Sequence, residues 1–142
     1  MQRVTDYIKA HAVFTAWKYG SHYGGTDHMT GVLWVIKNRS DAGWGSILHV
    51  VDTMEKWESA PPVTKTHPDQ WDRRFVSLLN TVDSIFDHTA QDPTNSALWF
   101  GDLTNVTNEY FLTNVCRSPE RQRCGGINSW TYFKNAEAVN GN

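Results

Sequence analysis

The run from Asp27 to Arg39, Asp-His-Met-Thr-Gly-Val-Leu-Trp-Val-Ile-Lys-Asn-Arg, constrains the fold most strongly. Its apolar residues recur at helical spacing, and Trp34 and Val35 add apolar surface on the opposite side. A helix that is apolar nearly all round is usually buried in a core rather than laid on a surface. The stretch therefore predicts a central core helix, with Asp27 as its N-cap and a polar end at Lys37-Asn38-Arg39.

About four helices are predicted around this one, and three of them can be placed in the sequence. Residues 5–19 have apolar positions at helical spacing before Gly20, and residues 46–54 carry an apolar stripe behind Ser46 as N-cap. Residues 69–86 form the clearest amphipathic pattern in the chain. Between the last two, the stretch from Glu55 to His67 loses its periodicity and contains Ala60-Pro61-Pro62, so it is predicted to be irregular.

The C-terminal third of the sequence predicts a small antiparallel hairpin. Residues 97–100 read as a short apolar strand, and the alternation over residues 127–133 suits a second strand that pairs with it. The predicted fold class is α+β, mostly helical, with a central buried helix. At 142 residues the chain is predicted to be a single domain, 1–142, with its core at about residues 5–134.

Composition disfavours several classes of function. The net charge of −2 leaves no basic stripe for nucleic acid. The longest apolar runs are too short to span a bilayer, and the N-terminal residues lack the apolar segment of a signal peptide. The sequence therefore predicts no nucleic-acid partner, no membrane partner and no standard secretion.

Neither a metal ion nor a cofactor is predicted. The six histidines (11, 22, 28, 49, 67 and 88) are scattered and form no ligand spacing, and no phosphate-binding or nucleotide-binding fingerprint is present. Cys116 and Cys124 bracket a polar, basic loop over residues 117–123, and their spacing is no zinc motif. A disulfide across that loop and two reduced thiols both remain open.

Carboxylates are the remaining chemical option, because glycoside cleavage requires an acid whose pKa is raised by an apolar pocket. The candidates are Asp27 and Glu55, although an N-cap and a surface glutamate explain them more simply. Asp102, after the first strand, reads equally well as a turn residue. The seven Trp residues suit a core, an interface or a platform on which sugars stack.

Several segments, taken in order, resemble one known family. They are Trp17 to Gly24, Val35-Ile36-Lys37-Asn38-Arg39, Ser46 to Trp57, Asp92-Pro93-Thr94-Asn95-Ser96-Ala97-Leu98-Trp99-Phe100 and Gly126 to Phe133. Over residues 12–134 or so, their order and spacing resemble the SleB-like cell-wall hydrolases, germination-type peptidoglycan hydrolases that are also found in many phages. The resemblance implies a lysozyme-like scaffold.

The family's catalytic glutamate has no counterpart in this chain. The resemblance places that position at Gly20, or at Tyr19 with a shift of one residue, and no Asp or Glu lies between Thr15 and Thr26. The histidine of the family's closing strand is also absent. The scaffold is therefore predicted to be kept while the chemistry is lost, since fold alone does not carry function.

Three hypotheses follow for the function. The first is a non-catalytic structural protein of a bacteriophage virion, associated with the tail or adaptor, whose partners are other virion proteins or copies of itself. The second is an active peptidoglycan glycosidase or lytic transglycosylase that uses a relocated acid, Glu55 or Asp27. The third is a peptidoglycan-binding module with a groove lined by Trp17, Tyr19, His22, Trp57 and Trp99.

Overall fold

The computed structural model describes residues 6–20, 26–57, 73–87, 90–103, 109–127 and 130–136. The chain divides into two compact units, Met1–Asp92 and Pro93–Asn142, which are described separately below. Helices build the first unit, and a small antiparallel sheet with a short helical segment builds the second. The predicted α+β class is confirmed. None of the described helices is both long enough and apolar enough to cross a membrane.

Four α-helices make up the described part of the first unit: α1 (Asp6–Gly20), α2 (Thr26–Asp41), α3 (Ile47–Trp57) and α4 (Arg73–Phe86). The helices α1 and α2 pack against each other, and each of them also packs against α3 and α4. The predicted burial of α2 is confirmed, since every residue from Gly31 to Ile36 is buried. The helix α1 shares the central position with it, which the sequence did not single out.

Two local predictions in this unit need correction. The helix α2 begins at Thr26, so Asp27 lies inside its first turn rather than at the N-cap. The helix α3 continues through Glu55 to Trp57, where the sequence predicted irregular chain. Glu55, Lys56 and Trp57 are all compatible with a helix. The first residues of the sequence that forbid one are Pro61 and Pro62, so helical propensity persists after the apolar stripe has ended.

The turn between α2 and α3 depends on two glycines with positive φ, Gly43 at +92° and Gly45 at +131°. The Ser40 hydroxyl donates to the Gly45 carbonyl at 2.7 Å. The Trp44 amide donates to the Arg39 carbonyl at 3.0 Å. At the start of α3, the amide of His49 donates to the Ser46 hydroxyl oxygen at 3.1 Å, which confirms Ser46 as the N-cap.

The second unit contains a three-stranded antiparallel sheet in the order β1-β3-β2, formed by β1 (Trp99–Asp102), β2 (Arg121–Ile127) and β3 (Trp130–Asn135). The predicted pairing of the first and last strands is confirmed, with Trp99 opposite Phe133. The strand β2 was missed, and Ile127 belongs to it rather than to β3. Its Arg-Gln-Arg-Cys-Gly-Gly sequence has neither apolar alternation nor β-branched residues, so the pattern concealed it.

Between β1 and β2 lies a short helix, α5 (Glu109–Phe111), that continues as a π-helical turn over Leu112–Cys116. The amide of Arg117 donates to the Leu112 carbonyl at 3.0 Å, the five-residue spacing of a π-helix. The β2 register shifts between Arg123 and Gly125, which makes Cys124 the extra residue of a β-bulge.

The two glycines of the α2–α3 turn give a matched pair of substitutions. A Cβ on Gly45 would lie 2.5 Å from His49 Cδ2 and 3.2 Å from His49 Cβ, whereas a Cβ on Gly43 would meet nothing within 4 Å. Both changes to alanine force a side chain into positive φ, at a cost on the order of 1–3 kcal/mol. Gly45→Ala is expected to lower the free energy of unfolding more than Gly43→Ala, as measured by urea denaturation. Equal losses would show that His49 moves aside freely.

Candidate functional site

The candidate site lies where the C-terminal ends of α1 and α3 meet in the first unit. Tyr19 is the penultimate residue of α1, and only 4% of it is exposed. Its hydroxyl donates to the Met54 carbonyl at 3.3 Å. Met54 belongs to the last turn of α3, where backbone carbonyls have no partner within the helix. The Tyr19 side chain therefore fills the core and supplies one missing hydrogen bond at the end of α3.

This junction is also where the resemblance places the acid of a cell-wall hydrolase. Tyr19 is held in the core, and Gly20, which ends α1, has no side chain that can carry a proton. Glu55 follows Met54 directly, so the hydrogen bond from Tyr19 brings the backbone of Glu55 to the same junction. The side chains of Glu55 and Trp57 lie outside the described part of the structure.

Two other candidates in the first unit, Trp17 and Asp27, differ in their exposure to solvent. Trp17 is 4% exposed, and its ring lies 5.8 Å from that of Phe14, so it packs in the core and offers no open face to a sugar. Asp27 is exposed on the first turn of α2. His22 lies outside the described residues.

Trp99 belongs to the second unit, where it is half-buried on β1. The Arg121 guanidinium lies over its ring, 4.4 Å from the centroid, and so reaches across the central strand from β2. The cation is attracted by the electron density of the indole face, which fixes the orientation of both side chains. One face of Trp99 is thus occupied by a residue of the same unit.

Two residues at the end of α2 that carry the resemblance make structural contacts. The Asn38 side-chain amide donates to Asp92 Oδ2 at 2.9 Å, joining residues 54 positions apart. Arg39 is 3% exposed, and its guanidinium lies 4.8 Å from the centroid of the Trp44 ring. The Asn-Arg pair therefore anchors the chain after α4 and supports the turn after α2.

The segment from Thr94 to Ala97 is locked in an uncommon backbone conformation. Asn95 and Ser96 both have positive φ, +58° and +68°, a region that non-glycine residues seldom occupy. The Ala97 amide donates to Thr94 Oγ1 at 3.2 Å. Two further contacts reach Cys124: Asn95 Nδ2 donates to its carbonyl at 2.7 Å, and its thiol donates to the Thr94 carbonyl at 3.1 Å. These contacts hold the turn against the β2 bulge, which is how such strain persists.

The two cysteines are not joined by a disulfide. Partial burial raises the pKa of the Cys116 thiol above its ordinary value, and the neighbouring Arg117 charge opposes that rise. The thiolate is the reactive form of cysteine, so burial makes Cys116 a weaker nucleophile near neutral pH. Within the described ranges, no group of three or more His, Cys, Asp or Glu side chains is arranged to hold a metal ion.

The sequence interpretation missed the stacked pair of Arg39 and Trp44. The sequence did not single out Trp44, whereas the structure leaves 40% of this residue exposed above a buried guanidinium. An aromatic residue between two glycines, five residues after an arginine at a helix end, was the available signal. The burial of that arginine was not visible in the sequence.

Comparison with known proteins adds no relative to this picture. No family model, no curated protein and no solved structure matches the chain.

The pKa of Cys116 gives a direct test by alkylation. Cys124→Ser keeps a donor for the Thr94 carbonyl and leaves Cys116 as the single thiol. The pH at which this variant reaches half its maximal rate with iodoacetamide is expected to lie above that of glutathione, because burial disfavours the thiolate. In urea the midpoint is expected to fall to that of an ordinary thiol. A native midpoint at or below that of glutathione would contradict the assignment.

Proposed function

We propose that this chain is a non-catalytic structural protein, built on a scaffold like that of the SleB-like cell-wall hydrolases and incorporated into a bacteriophage virion near the tail or adaptor. The observation that carries the proposal is Tyr19. The resemblance gives the position of the catalytic acid to Gly20, or to Tyr19 with a shift of one residue, and Tyr19 is a core side chain whose hydroxyl donates to the Met54 carbonyl.

The chemical argument concerns the proton that glycoside cleavage requires. A general acid must reach the leaving oxygen with a pKa near the working pH, and it contributes about 10²- to 10⁴-fold to the rate. A buried tyrosine bonded to a helix carbonyl and a glycine supply no such proton. A residue at this position that packs in the core, rather than one that donates a proton, fits a scaffold whose role is to present a binding surface.

Exposed aromatic residues support a role in binding partners. Tyr7 on α1 is 68% exposed, and Tyr110 on α5 is 74% exposed. Tyrosine and tryptophan are enriched at protein interfaces because each combines a large apolar body with a polar tip. Side chains of this kind suit assembly with other virion proteins or with copies of this chain.

A second function is favoured by one specific observation. Because Tyr19 bonds to the carbonyl of Met54, the next residue, Glu55, stands at the junction to which the resemblance assigns the acid. A carboxylic acid at that place on α3 could replace one lost from α1. The second candidate is therefore a peptidoglycan glycosidase or lytic transglycosylase with Glu55 as its relocated acid.

Incubation with insoluble peptidoglycan separates the two functions. The structural proposal expects no soluble muropeptides from the purified, folded chain, with hen lysozyme as the positive control. Release of fragments would contradict it. If fragments appear, Glu55→Gln is expected to abolish their release under the relocated-acid hypothesis. Asp27→Asn, a matched loss of one carboxylate on the exposed first turn of α2, is expected to keep it.

The virion location has its own test. An antibody against the purified chain is expected to label gradient-purified particles of the phage whose genome encodes it, in a constant ratio to the major tail protein. The matched sample is the particle-free supernatant of the same lysate. A chain that is abundant in the supernatant and absent from the particles would contradict incorporation into the virion.

A further inference from the structure

The two compact units are joined in the chain by one peptide bond, between Asp92 and Pro93. This is the only Asp-Pro pair among the 142 residues. The bond lies after α4, which ends at Phe86, and before β1, which begins at Trp99. Opening this bond would therefore interrupt neither a helix nor a strand, and each unit would remain one continuous segment.

The residues around this bond are open to solvent. Gln91 and Pro93 are exposed, and Asp92 is half-buried. A proline nitrogen carries no hydrogen, so it donates no backbone hydrogen bond. Cleavage on the N-terminal side of Pro93 therefore removes no backbone donor from the fold.

Contacts within each unit hold the chain on both sides of the bond. In the first unit, the Asn38 side-chain amide donates to Asp92 Oδ2 at 2.9 Å. In the second unit, the Cys124 thiol donates to the Thr94 carbonyl at 3.1 Å, and Asn95 Nδ2 donates to the Cys124 carbonyl at 2.7 Å. Each of the two new chain ends would therefore stay attached to its own unit.

An aspartate that precedes a proline can open its own peptide bond in acid. A side-chain oxygen attacks the carbonyl carbon of the same residue and forms a cyclic anhydride. The carboxyl proton passes to the nitrogen of the tertiary amide, and the C–N bond breaks. Water then opens the anhydride to two carboxyl groups. The net change is the addition of one water molecule, without oxidant or reductant, and the reacting groups need no encounter because they belong to one residue.

The hydrogen bond from Asn38 opposes this reaction. A carboxyl group moves as one unit, so the approach of either oxygen to the Asp92 carbonyl carbon turns Oδ2 away from Asn38 Nδ2. Breaking this hydrogen bond is therefore part of the barrier while the first unit is folded. Asn38 acts as a positioning residue that holds the carboxyl group back from its own peptide bond.

The donor to this carboxyl group is an uncharged amide, which does not titrate. The charged residues on either side of it in α2 make other contacts: Lys37 pairs with Asp41, and Arg39 stacks on Trp44. Asp87, the residue after α4, is exposed. The restraint therefore requires only that the end of α2 is folded.

We propose that the Asp92–Pro93 bond is a latent self-cleavage site, at which the Asp92 carboxyl group divides the chain into residues 1–92 and 93–142 in mild acid. Asn38 slows this reaction in the folded protein. The inference does not depend on the proposed virion role, because it concerns one bond and the contacts beside it. Its failure would leave the peptidoglycan and antibody experiments untouched.

The test incubates the full-length chain at about pH 3 and at about pH 7, below and above the ordinary aspartate pKa of about 3.9, and measures intact masses. Acid is expected to yield residues 1–92 and 93–142, whose summed mass exceeds that of the chain by one water molecule. Above the ordinary pKa, the rate is expected to fall about tenfold per pH unit, because the reaction uses the carboxyl proton. Absence of these fragments in acid would overturn the proposal, as would their loss when pepstatin inhibits acid proteases.

Two substitutions at the bond are matched to the chemistry. Asp92→Glu keeps a carboxyl group but requires a larger ring for the anhydride, and Pro93→Ala keeps Asp92 but restores an ordinary secondary amide. Each is expected to slow cleavage at least about tenfold, since small misplacements of reacting groups cost up to about 10²-fold. Cleavage of either variant at the unmodified rate would contradict the mechanism.

The restraint by Asn38 has a separate test. Asn38→Ala is expected to speed cleavage about two- to twelvefold, the range that corresponds to one hydrogen bond. Asn38→Gln keeps the amide and is expected to restore part of the restraint. Asn80→Ala, which removes an exposed amide from α4, is the matched control and is expected to cleave like the unmodified chain.

A second measurement applies if circular dichroism shows that Asn38→Ala is unfolded. The unmodified chain is then compared with and without urea at the same pH, and cleavage is expected to be faster in urea because the hydrogen bond from Asn38 is lost. An unchanged rate in a folded Asn38→Ala variant, or an unchanged rate in urea, would overturn the role of Asn38.

Discussion

The burial of α2 on all sides is the constraint on which the first unit depends. From Gly31 to Ile36 every residue is buried, so the helix has no solvated face and its polar groups concentrate near its ends. At the C-terminal end that means Asn38, which bonds to Asp92, and Arg39, whose buried guanidinium faces the Trp44 ring. A buried charge is tolerated only when it is compensated. Contacts at the C-terminal end of α2 therefore hold both the turn that follows this helix and Asp92, the last residue of the unit.

The residues that carry the resemblance to cell-wall hydrolases form hydrogen bonds and stacks that hold each unit together. Tyr19 completes the end of α3, Asn38 joins Asp92, and Thr94 with Asn95 fastens the β2 bulge. The loss of such side chains would cost stability whatever the protein does. A buried donor or acceptor without its partner costs about 1–3 kcal/mol. A resemblance carried by such residues says little about chemistry, and this is why the proposed function rests instead on the burial and hydrogen bond of Tyr19.

The sequence predicted the structural features that depend on residues close together in the chain. The apolar pattern predicted α2, and Ser46 predicted the start of α3, because burial and capping each act within a few residues. The strand β2 could not be predicted: Arg121 to Gly126 lacks alternation, and its place is set by pairing with β3 around a bulge at Cys124. The candidate site was harder still. Trp17 and Trp44 look alike in a sequence, yet one is 4% exposed and the other 40%, a difference fixed by packing between helices.

The order β1-β3-β2 leaves β1 and β2 as the two edges of the described sheet. Edge strands offer unpaired backbone groups to any other strand and so invite aggregation. Here β1 is only four residues long, and β2 carries the exposed Arg123 beside its bulge at Cys124. Shortness, charge and a bulge are three devices that discourage one sheet from extending into another. The described edges of this sheet are therefore poorly suited to pairing with a strand of another chain.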